Sequence, residues 1–165
     1  LVGASIAAST AVTGATETET NFSTTVTVPA NALQAGSVLH IVAMGKYTAT
    51  TGLETHDLKL KIGSTAIVTL STINPANDDY FRFDVWVTVR TAGASGTMVG
   101  SGSAVGAALA GTTAQATVAL DSTAIDTTAA QTVAVAIDRQ ASATDGDSAR
   151  LDMLTVVGFN LASLV

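Results

Sequence analysis

Apolar and polar residues alternate with a period of two along most of this chain. From Tyr80 to Arg90 (YFRFDVWVTVR) the odd positions hold Phe81, Phe83, Val85, Val87 and Val89. The even positions hold Tyr80, Arg82, Asp84, Trp86, Thr88 and Arg90. Successive side chains of a strand point to opposite faces, so this segment predicts a strand with one face in a core. The same rhythm runs through Leu58, Leu60 and Ile62 against Lys59 and Lys61. It recurs in Val133, Val135 and Ile137 against Thr132, Ala134 and Ala136, and in Phe22, Thr24, Val26 and Val28 against Thr25 and Thr27.

Longer apolar runs cover Ser37 to Lys46, Ala66 to Leu70 and Leu151 to Phe159. They predict strands buried on both faces or covered by a neighbouring subunit. Turn signals separate the runs: Gly63-Ser64, Asn74-Pro75, Gly93-Ala94-Ser95-Gly96 and Asp145-Gly146-Asp147. Pro29 to Gly36 is the one candidate helical turn, with Pro suited to a first helical position and Gly to the position past the end. It reads as a short connection between strands. Ala92 to Leu120 is dominated by Gly, Ala, Ser and Thr. Unstructured loops of that length are uncommon, and Met98-Val99 and Val118-Ala119-Leu120 supply apolar anchors, so strands with small side chains are expected rather than a linker. The fold class that follows is all-β: a single antiparallel β-sandwich, jelly-roll-like, of about eight to ten strands, with residues 1–165 as one domain.

Composition sharpens the picture. The chain is 47% hydrophobic, so it has ample material for a core, but only 12% charged, about half the usual share. A monomer surrounded by water normally carries more surface charge, and a covered face is expected here. The net charge of −6 and seven scattered basic residues exclude counterion-release binding to nucleic acid. No run of eighteen apolar residues and no basic amphipathic stretch appears, so no membrane attachment is expected. Leu1 to Ser9 lacks the charged segment of a signal peptide, and a start at Leu1 points to processing or trimming. The absence of cysteine excludes disulfides, thiolate metal sites and thiol nucleophiles, and fits synthesis in a reducing cytoplasm.

Candidate chemistry is sparse. Glu54, His56 and Asp57 are ligand types, but adjacent loop residues rarely converge on one ion, and a polar loop is the expectation. His40 sits in a strand between Leu39 and Ile41. Asp145-Gly146-Asp147 and Asn77-Asp78-Asp79 carry oxygens of the kind that bind calcium, yet as turn residues they need no metal. Gly100-Ser101-Gly102-Ser103 lies in strand-like sequence and not at a strand–turn–helix elbow. Asn21-Phe22-Ser23 matches a glycosylation acceptor, which matters in a secretory pathway. The expectation is no catalytic residue, no metal and no cofactor.

The positive signal is one strand face. Tyr80, Arg82, Trp86 and Arg90 point away from the Phe/Val side, and Trp, Tyr and Arg are the types enriched at binding hot spots. They gather in a chain that is 4% aromatic and has one tryptophan. These four residues are the candidate interface, and the apolar ends Leu1-Val2 and Phe159 to Val165 are expected to dock in the same way.

From Thr20-Asn21-Phe22 through Val28-Pro29-Ala30-Asn31-Ala32-Leu33-Gln34-Ala35-Gly36-Ser37-Val38 the chain resembles the jelly-roll structural proteins of tailed bacteriophages. There a Thr-rich strand ends in a Pro-Ala-Asn turn and Leu-x-x-Gly leads into the next strand. The charged-aromatic strand followed by Ala-Ser-Gly-Thr, and Asp126-Thr127-Thr128-Ala129-Ala130-Gln131-Thr132, are similar too. The resemblance implies a virion component made in the host cytoplasm, commonly a homotrimer: a capsid cement or decoration protein contacting the major capsid protein, a head fibre, or a tail-fibre module. A cement protein is the first expectation. A receptor- or carbohydrate-binding module, with a glycan held by Trp86 and Tyr80, is the alternative.

Overall fold

A computed structural model describes residues 2–13, 18–48, 55–73, 77–108, 112–139 and 148–162. Eleven strands run through them: β1 (Gly3–Ser5), β2 (Val12–Thr13), β3 (Thr20–Val28), β4 (Val38–Thr48), β5 (His56–Ile62), β6 (Thr65–Ile73), β7 (Tyr80–Thr91), β8 (Gly96–Ala108), β9 (Thr112–Ile125), β10 (Gln131–Arg139) and β11 (Ser148–Phe159). The larger sheet has the order β1-β11-β4-β7-β8-β9, with β2 also on β11, and the smaller has β3-β10-β5-β6. All pairings are antiparallel, and the two sheets pack as a sandwich. The chain passes between sheets after β2, β3, β4, β6, β9 and β10, so each sheet mixes distant parts of the sequence.

The two-residue rhythm decides which side of each ribbon enters the core. In β7 the odd residues from Phe81 to Val89 are all buried. They meet Leu39, Ile41 and Tyr47 of β4 and Leu154 and Val156 of β11 on the same sheet. Facing them are Leu58, Leu60 and Ile62, Val133, Val135 and Ile137, and Phe22, Val26 and Val28 from the other. Phe81 is the hub, stacked on Phe22 (6.0 Å) and edge-on to Tyr47 (5.4 Å) and Phe83 (6.2 Å). Its ring lies against the backbone of Gly45, where any β-carbon would collide with it.

Three expectations change. The runs Ser37–Lys46 and Leu151–Phe159 are not buried on both faces within the chain: their alternate residues are half-buried or exposed on the outside of the larger sheet. In Ala66–Leu70 the consecutive buried pair Ile67 and Val68 arises from a bulge, since Leu60 pairs with Val68 and Lys61 with Ala66. Pro29–Gly36 connects β3 to β4 as expected, but through two four-residue turns rather than a helical one. Ala32 N–H donates to Pro29 O (3.2 Å) and Ser37 N–H to Gln34 O (2.9 Å). The third residues, Asn31 (φ 61°) and Gly36 (φ 83°), take the left-handed conformation that Asn and Gly tolerate.

The apolar ends also behave differently from expectation. Val2 and Leu161 pack against this chain's own core, and Ala162 N–H donates to Ala32 O (2.9 Å). Leu1 and residues 163–165 lie outside the described residues. Within the small-residue region Ala92–Leu120 the described residues form strands from Gly96 on, as expected, with β8 and β9 paired over almost their whole length.

Candidate docking face

The register of three neighbouring strands assembles the outside of the larger sheet. Trp86 of β7 lies opposite His40 of β4, which lies opposite Val157 of β11. Val38 pairs with Phe159, Val42 with Asp84 and Thr155, and Met44 with Arg82 and Met153. On the far side of β7, Arg82 pairs with Val105, Asp84 with Ser103, Trp86 with Ser101 and Thr88 with Val99. One broad surface therefore carries Trp86, Phe159, Met44, Met153, Val42 and Val105 around a polar centre.

The Trp86 indole is the middle of a stack. The His40 ring lies 4.0 Å from it at 7°, and the Phe159 ring 6.0 Å away at 22°. Trp86 remains 42% exposed and Phe159 48%. His40 Nε2 donates to Asp84 Oδ1 (2.9 Å), and Arg82 Nη2 donates to Asp84 Oδ2 (2.7 Å). The hydrogen bond from His40, helped by the nearby Arg82 charge, holds the Asp84 carboxyl below the usual carboxylate range. A chain of one cation, one anion and one imidazole thus crosses the apolar strip.

Close approach of β8 makes this arrangement compact. Gly102 has φ 148°, and a β-carbon there would sit 2.7 Å from Val85 Cα and still nearer Asp84 O. Only hydrogen fits, and the flanking Ser101 and Ser103 stay level with Trp86 and Asp84.

The outside of the smaller sheet has the opposite character. β3 presents Asn21, Ser23, Thr25 and Thr27, all exposed, and β6 presents Thr69 and Ser71. Ala134 and Ala136 of β10 pair with Lys61 and Lys59 and lie buried, consistent with the lysine stems lying over them. Lys59 Nζ donates to Glu19 (2.8 Å) and Asp138 (3.2 Å), and Lys61 Nζ donates to Glu19. Those bonds hold the Glu19 carboxyl below its ordinary range and the Lys59 ammonium above its own.

Of the four predicted interface residues, Tyr80, Arg82, Trp86 and Arg90 are all exposed on β7. Arg82 spends one bond on Asp84. Tyr80 and Trp86 are six residues apart on one strand, about 20 Å, so they do not form one platform. The sequence placed His40 in a strand without giving it a role, and placed Phe159 at the close of the Leu151–Phe159 run and the start of an apolar end. Parity puts both side chains outward, but only the pairing of β7, β4 and β11 brings them to Trp86.

The remaining candidates separate. His56 is not in a polar loop: it opens β5, is buried, and stacks on Tyr47 (6.0 Å). Glu54 and Asp145-Gly146-Asp147 lie outside the described residues, among which no cluster of three metal-binding side chains occurs. Asp78 takes φ 66° in its turn and accepts a bond from Lys46 Nζ (2.6 Å). Gly100–Ser103 is strand, and Asn21 is an exposed strand residue. No helix among the described residues is long and apolar enough to cross a membrane. No protein-family model matches the chain, and no curated protein matches it.

Proposed function

We propose that the chain is a non-catalytic structural subunit that docks on other proteins through the outside of its larger sheet. The observation that carries this reading is the contrast between the two outer faces. One displays Trp86, Phe159, Met44 and Val105 to solvent, and the other, among the described residues, shows mainly hydroxyl-bearing side chains, Asn21 and the ion-paired Lys59 and Lys61. Aromatic and Met side chains are enriched at buried interface centres, and the Arg82 and Asp84 charges among them here balance each other. Low overall charge points the same way, since a covered face needs no charge for solubility.

The finer reading is a capsid cement protein, a homotrimer on the virion surface that contacts the major capsid protein. The sandwich fold and the resemblance described above support it. Bridging neighbouring capsomers by several modest contacts would make outward movement of the shell break them together, which multiplies their effect. The glycan-binding alternative has less support. The His40 ring already lies parallel on Trp86, and Tyr80 is too distant to complete a sugar platform.

Trp86→Ala tests the docking reading. The variant is expected to keep its β-rich circular dichroism, because Trp86 contributes nothing to the core. Its assembly in sedimentation, or its attachment to heads lacking cement protein, is expected to weaken at least tenfold, the loss of one hot-spot side chain. Unchanged sedimentation and attachment together would refute the face assignment. A glycan-array signal abolished by Trp86→Ala would favour the alternative.

A further inference from the structure

We propose that a cleft at one end of the sandwich, where the β5–β6 turn, the β7–β8 turn and the β9–β10 connection meet, binds a primary alkylammonium group. The inference is independent of the docking reading, because this cleft lies at the end of the sandwich and not on the outside of the larger sheet.

The cleft holds about 260 Å³. Sites for drug-sized ligands span roughly 300–1,000 Å³, so the occupant here is smaller, about the size of a long side chain. The floor is aliphatic and draws on both sheets: Ile62 closes β5, Ile125 closes β9, and both are buried. Ala94 and Ala124 flank them and are too small to fill the space. The rest of the lining is polar, with Asp126, Gln131, Ser64 and Thr65. No Lys, Arg or His lines the cleft among the described residues.

The polar side is held in place. Thr128 N–H (2.9 Å) and Thr128 Oγ1 (2.6 Å) both donate to Asp126 Oδ1. These bonds hold the Asp126 carboxyl below the usual carboxylate range, so it is charged at neutral pH. A carboxylate accepts about four bonds, which leaves capacity for a ligand. Gln131 Nε2 donates to Asp126 O (2.6 Å). Gln131 Oε1 then lies over Gly63, 2.5 Å from the place a β-carbon would take. The amide therefore spans from the β9–β10 connection to the β5–β6 turn.

This lining selects its ligand by charge and shape. An anion would meet Asp126 with no base to balance it. A neutral alcohol would leave the carboxylate without a countercharge. A primary ammonium carries three donors for the carboxylate, the amide oxygen and the hydroxyls. Its alkyl chain covers Ile62 and Ile125, and the chain's net charge of −6 adds to the attraction.

Butylammonium chloride is the probe, titrated into protein labelled at its alanine methyl groups and followed by NMR. The Ala94 and Ala124 signals are expected to shift with a Kd on the order of 1 mM. Butanol is expected to bind about fivefold more weakly, the worth of one partly exposed charge pair, and butyrate not to bind. Asp126→Asn keeps an acceptor for Thr128, and with it the turn, and is expected to erase the preference for butylammonium over butanol. Ala94→Leu fills the cleft from an exposed position and is expected to abolish the Ala124 shift with every probe. Nα-acetyllysine methylamide separates two sources of the same group. Binding that matches butylammonium assigns the cleft to a lysine side chain, and binding of butylammonium alone assigns it to a free amine. Absence of shifts with both amines, equal binding of butanol and butylammonium, or an unchanged preference in Asp126→Asn overturns the proposal. None of these results alters the docking reading, which Trp86→Ala tests separately.

Discussion

Tyr47 carries its hydroxyl into the core, and burial pushes its pKa well above that of an exposed phenol. Among the described residues that hydroxyl finds no hydrogen-bond partner, while the ring packs on Phe81 and His56. An unpaired buried hydroxyl costs stability, so Tyr47→Phe is expected to stabilise the fold by about 1 kcal/mol. Urea unfolding measures it, and a loss of stability would mean that the hydroxyl is bonded after all. Side-chain direction was legible at this scale: parity alone placed Trp86 outward and Phe81 inward. Side-chain company was not. His56 follows Glu54 and Thr55 and precedes Asp57, a polar string that reads as loop, yet it is the first inward position of β5. Its burial depends on Tyr47, from the opposite sheet, offering a ring to stack on.

Among elements, β7 shows how much a strand declares when large apolar residues alternate with polar ones. β8 shows the limit. Its small residues give no alternation, and only the length of the segment and its apolar anchors, Met98-Val99 and Val118-Ala119-Leu120, point to strands. Glycine there is a packing requirement, because β7 passes too close to Gly102 for any side chain. Gly102→Ala is expected to destabilise by roughly 3 kcal/mol, from the collision with the Asp84 and Val85 backbone together with the strained φ. It is also expected to disturb the Trp86 stack, visible as a shifted emission maximum. Retention of wild-type stability would show that β7 and β8 can separate without cost. Bulges were illegible for a related reason. The extra residue opposite Lys61, and the one between Leu151 and Met153, exist only relative to a partner strand, and neither partner is a signal in the local sequence.

For the molecule as a whole, the sandwich class was legible because eight or more half-buried ribbons have few other ways to cover their apolar sides. The order of strands was not, since pairing β4 with both β7 and β11 is a long-range choice. That choice assembles the face proposed for docking, and the same logic on the smaller sheet ties β5 to the segment before β3 through Glu19, with Asp138 of β10 joined through Lys59. The Glu19 carboxyl is held below its usual range in the folded chain, so its contribution is complete at pH values above the ordinary 4.5 and is lost as pH falls through the depressed folded value. Lys59 is held above its usual 10.5, and its share persists until pH rises past that value. Glu19→Gln is therefore expected to cost about 1 kcal/mol between pH 5 and 9, a modest figure suited to a partly exposed network. The difference from wild type should vanish in strong acid, as chemical unfolding at pH 7 and pH 2.5 would reveal.

A slab with one oily broad side and one wettable broad side is an amphiphile in its own right. Spread at an air–water boundary, it should lie flat with the indole toward air and the threonines toward water, forming an oriented film. The same bias operates during any encounter: tumbling molecules that meet a greasy surface meet it productively through one side, which halves the orientational search before a single specific contact has formed.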